Sequence, residues 1–70
     1  MTLEKKAVII REALKDLHKN ETFERALGRT LRRHKRNYED YLEIIGEVRK
    51  RARREKVDVL EAARREALSR

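Results

Sequence analysis

Two histidines, a ridge of glutamates and one serine are the residues here whose types suit chemistry, and their spacing does not bring them together. His18 and His34 are not separated by the four positions that set two metal ligands on one helix face. Ser69 is the only serine and stands next to the last residue, and cysteine is absent, so no thiolate nucleophile or thiolate metal site exists. Glu39, Glu43 and Glu47 recur every fourth residue. That spacing makes a solvated ridge on one helix, with Glu47 in reach of Lys50 or Arg51, rather than a converging acid–base pair. The inventory predicts no catalytic residue, no metal, no cofactor and no small-molecule substrate.

The stronger chemical signal is basic. Lys and Arg number 20 against 13 Asp and Glu, a net charge of +7 that favours polyanionic partners. The excess is uneven: residues 20–37 carry six basic and two acidic groups, while residues 38–56 carry six and five. In a helix turning about 100° per residue, Arg25, Arg29, Arg32 and Arg36 align at i, i+4, i+7 and i+11, opposite Phe23 and Leu27, with Arg33 and Lys35 beside them. Guanidinium forks suit phosphate because each donates paired hydrogen bonds and sheds water readily. The expected activity is therefore binding to a nucleic-acid backbone, DNA or RNA, with Arg49 and Arg53 of the run VRKRARREK as a second patch. No zinc-finger spacing, aromatic RNA-binding signature or short glycine turn accompanies the ridge.

These side chains must be held by helices. Charged residues make up 47% of the chain, yet proline is absent and the apolar residues fall at helical spacing, so the expectation is order. Acidic residues favour the first turn of a helix and basic ones the last, and this polarity repeats along the chain. It predicts helices over about 3–19, 22–36, 38–55 and 59–69. Thr2, Asn20 or Thr22, Asn37 and Asp58 are the candidate N-caps. The reading is a single all-α domain over residues 1–70, a small three- to four-helix bundle. A break at Asn37 is preferred to one continuous helix.

The expected core stripes are Leu3, Ala7, Ile10, Leu14 and Leu17; then Phe23, Ala26, Leu27, Thr30, Leu31 and His34; then Tyr38, Tyr41, Leu42, Ile45, Val48 and Ala52. Tyr38 and Tyr41 could stack on bases, but their phase assigns them to the core. Leu60, Ala63 and Ala67 offer little area, so the last helix is expected to dock weakly or to order only on binding. Gly28 and Gly46 suggest close helix crossings, or, at Gly46, an early helix end. Val8 and Ile9 lie off the first stripe. They either widen the core on the Ile9 side or form a partner interface, with Val8 the better candidate for contact with a protein partner or a homo-oligomer.

So thin a core makes self-association an expectation, and a helical protein-interaction subunit is the alternative function. No apolar run approaches a membrane span or a signal-peptide core, which predicts a cytoplasmic protein with no membrane partner. Abundant Glu, Lys and Arg with no Gln lean toward a thermophile's composition.

Overall fold

The computed structural model describes residues 1–68 as four helices without strands: α1 (Leu3–Lys15), α2 (Phe23–Arg33), α3 (Tyr38–Glu55) and α4 (Val59–Leu68). Ser69 lies outside the described residues. Each start is capped locally. Thr2 accepts from Lys5 N–H at 3.1 Å, Thr22 from Arg25 N–H at 3.3 Å, Asn37 from Asp40 N–H at 3.0 Å and Asp58 from Glu61 N–H at 2.7 Å. These bonds satisfy amides that the first turn of a helix leaves unpaired. Thr22 is the α2 cap; Asn20 instead takes a left-handed turn conformation (φ 65°).

α1 stops four residues short of the expected end at 19, and α2 three short of 36. At the first, the Arg29 guanidinium binds the Asp16 carbonyl at 2.8 Å, while Glu21 accepts the His18 N–H at 3.0 Å, so the chain turns off. At the second, Lys35 adopts φ 55° and donates to Arg32 O at 3.0 Å, and Arg36 N–H reaches Leu31 O at 2.9 Å. That paired bonding is a Schellman closure, and with Asn37 it ends α2 and starts α3 instead of joining them. α3 closes in the same way, with Lys56 at φ 57° and Val57 N–H on Ala52 O at 3.0 Å.

The core gathers Ile9, Ile10, Ala13, Phe23, Ala26, Leu27, Leu31, Ile44, Ile45, Val48, Ala52, Ala62, Ala63 and Ala67. Because α1 packs against both α2 and α4, its buried face is broad and takes in Ile9 and Ala13, while Leu3 is 54% exposed. Ile9, fully buried, is a core residue; its assignment to a partner interface is corrected. On α3 the face rotates toward Ile44, which leaves Tyr38 and Leu42 outside, 69% and 48% exposed, against the expected stripe. His34 is half-buried at the α2 end and bonds Glu12 at 2.5 Å instead of entering the core.

α4 docks closely rather than weakly. Ala62, Ala63 and Ala67 are buried between α1 and α3, small enough to bring the backbones together. Arg51 on Glu66 at 3.0 Å and Arg11 on Ala67 O at 3.1 Å fasten its edges. The Cα radius of gyration, 10.9 Å, matches the roughly 11 Å of a folded chain of this length.

Neither glycine marks a close crossing or a helix end: a Cβ at Gly28 or Gly46 meets no atom within 4 Å, and α3 runs nine residues past Gly46. Gly46→Ala is therefore expected to stabilise the fold by about 0.5–1 kcal/mol, since it restricts the unfolded chain without strain. Urea unfolding checks this; a lower midpoint would show hidden crowding at the site.

Candidate nucleic-acid interface

One α2 periodicity produces two kinds of arginine, because the helices on either side differ. Arg29 and Arg33 lie on the flank nearer α1, where carboxylates wait. Arg29 grips Glu21 with both terminal nitrogens, at 2.5 and 2.9 Å, in addition to its bond to Asp16 O. This fork holds the Glu21 carboxyl down to about 2, first through the Arg29 hydrogen bonds and then through the His18 N–H. Arg33 is ion-paired with Asp16 and lies 3.8 Å from Glu12. Glu12 is itself held below the usual carboxylate range, chiefly by its bond to His34. Arg29 and Arg33 thus tie α2 to the end of α1 and the loop that follows it, and the Arg29 guanidinium, expected on phosphate, has its terminal nitrogens engaged within the protein.

Arg25 and Arg32, two turns apart, occupy the middle of the exposed face, and neither guanidinium has an acidic partner among the described residues. Arg36 continues this line beyond the helix end, with only Asp40 at 4.0 Å beside it. Lys35 is exposed on the left-handed turn between them. On the α3 flank, Arg49 reaches Glu24 of α2 at 3.5 Å, and Arg53, one turn on, is exposed and unpaired among the described residues. Arg49 thus adjoins α2, while Arg53 borders a hollow with Ala52 and with Val59 of α4. Arg51 and Arg54 of the same run face elsewhere and are paired with Glu55 at 3.5 Å.

Sequence periodicity missed Tyr38. It is the first residue of α3, beyond the last turn of α2, and it stays 69% exposed. The Asn37 cap was the available signal. Its ring stacks on that of Tyr41, with centroids 5.7 Å apart and planes 12° apart. Tyr41 is half-buried, and burial pushes its hydroxyl pKa up. Next to the two rings is a cleft of about 310 Å³ lined by Gly28, Leu31, Arg32, Arg36, Asn37, Tyr38 and Tyr41.

Elsewhere, Val8 is 39% exposed and borders a mainly apolar hollow of about 620 Å³ with Leu14, Ala67 and Leu68. Among the described residues no three His, Asp or Glu side chains are grouped to hold a metal ion, and no helix is long and apolar enough to cross a membrane. Comparison of the chain with family models, curated proteins and solved structures finds no match to any of them.

Proposed function

We propose that the protein is a small non-enzymatic binding module that holds a nucleic-acid backbone on its α2–α3 face. The observation that carries this reading is the pair Arg25 and Arg32: exposed, two turns apart and without acidic partners among the described residues, while carboxylates engage their neighbours Arg29 and Arg33. Arg36, Lys35, Arg49 and Arg53 extend the positive field on either side. Such a face neutralises phosphates and releases their counterions, so affinity falls steeply with salt.

The test is a titration of a DNA duplex against salt with wild type and Arg25→Glu/Arg32→Glu. The log–log slope is expected to fall by about 1.8 in the double variant, two phosphate contacts at about 0.9 each. Absence of wild-type binding to both duplex and single-stranded DNA at low salt defeats the reading. Arg29 is unsuitable for this test, since its removal opens the α1–α2 loop.

A second reading, a protein-interaction or self-association module, rests on the apolar hollow beside Val8. It predicts a concentration-dependent mass in sedimentation.

A further inference from the structure

Tyr38 has no structural task that accounts for its exposure. A phosphate contact needs only cations, and the core is closed without it. Its placement is nevertheless well defined: Asn37 caps the helix at this point, and Tyr41, anchored against the core, lies nearly parallel to the ring at 5.7 Å. One face of Tyr38 is covered by Tyr41, and with 69% of the residue exposed the other is open to solvent. The adjoining cleft is rimmed by Arg32 and Arg36, two guanidinium groups that can stack on a base or bind the phosphates either side of it. Gly28 leaves the cleft unobstructed, since a Cβ there would have nothing within 4 Å.

An aromatic face beside a line of arginines is the arrangement that holds unpaired bases, whereas bases within a duplex are already stacked and out of its reach. We propose that the α2–α3 face takes single-stranded nucleic acid, with one unpaired base laid on Tyr38 in the cleft between Arg32 and Arg36. This rests on the backbone-binding reading above and names its substrate class.

Tyr38 and Tyr41 are the only tyrosines and tryptophan is absent, so intrinsic fluorescence reports on this site alone. Single-stranded and duplex oligonucleotides of equal length and mixed sequence are titrated into the full chain while tyrosine emission and the anisotropy of a labelled strand are followed. The single strand is expected to bind more tightly and to quench the tyrosines. Tyr38→Ala is expected to lose about tenfold or more in single-strand affinity with duplex affinity unchanged, and Tyr38→Phe to retain it. Gly28→Gln, which fills the cleft from a position free of strain, is expected to weaken single-strand binding while the circular dichroism stays helical.

Tighter duplex binding that Tyr38→Ala leaves untouched overturns the single-strand proposal and leaves the backbone-binding reading standing. Equal loss on single strand and duplex also overturns it. Binding of neither at low salt, or capture of acidic peptides alone, overturns both.

Discussion

Ile9→Ala is expected to lower the unfolding free energy by about 2–5 kcal/mol, the usual cost of emptying a buried aliphatic site. Ile9 is fully buried among α1, α2 and α4, and it is one of the largest side chains of this core. A chain of 70 residues has about 4–10 kcal/mol of total stability, so the substitution removes a large share of it. Ile9→Asp would add an unpaired buried charge and is expected to unfold the protein outright. Val8, adjacent in sequence but 39% exposed, is the control: Val8→Asp is expected to leave the melting temperature within a few degrees of wild type. Chemical unfolding monitored by circular dichroism measures both. Equal effects at the two positions would mean that the α1 face has been misassigned. The folded Val8→Asp protein also tests self-association: loss of a sedimenting oligomer would assign the Val8 hollow to a second copy.

Acidification is expected to give the second large effect. Glu21 is held at about 2 by Arg29, well below an ordinary glutamate, and Glu12, Glu43 and Glu55 are also lowered, chiefly by His34, Lys6 and Arg65 respectively. A group whose pKa is depressed by folding stabilises the native state above its unfolded value and loses that contribution as pH falls toward the folded one. The contribution of Glu21 is therefore complete above about pH 4.5 and disappears on the way to about pH 2. All four carboxylates act in the same direction, and each joins neighbouring elements. Lys6 bridges Glu47 and Glu43 at 2.6 and 2.7 Å, and Glu55 binds Arg65 at 2.8 Å. Thermal melts are expected to fall steadily from pH 4.5 to pH 2. In Glu21→Gln the melting temperature at pH 7 starts lower and the acid-induced fall is shallower. A wild-type melting temperature that does not change over this interval would refute the assignment of these pairs.

The same ion pairs separate the arginines of α2 into engaged and free ones. A basic ridge on a helix is visible from spacing alone, but spacing cannot say which arginines are free. Arg29 and Arg33 differ from Arg25 and Arg32 in facing α1 and the loop after it, where Glu12, Asp16 and Glu21 draw them in. Those acids are distant enough in sequence, or far enough around a turn, that their position depends on how the helices pack. Salt titrations of variants therefore have to start from Arg25 and Arg32.

What the sequence by itself determined is local. Thr2, Thr22, Asn37 and Asp58 each accept an amide three residues on, a contact set by backbone geometry within one turn, and the charge polarity of each helix follows the same short-range rule. The all-α class, the four helices and the division at Asn37 are legible for that reason, as are Phe23, Leu27 and Leu31 on an amphipathic α2 that meets the core along one side. Only the tertiary structure decided how wide each buried face is and which way it turns. α1 is covered from two sides, so Ile9 is buried and Val8 is not. α3 is rotated so that Ile44 is buried and Tyr38 stays outside, stacked beside the arginines of α2. Burial and ion pairing depend on neighbours supplied by other helices, and a periodicity within one helix carries no record of them.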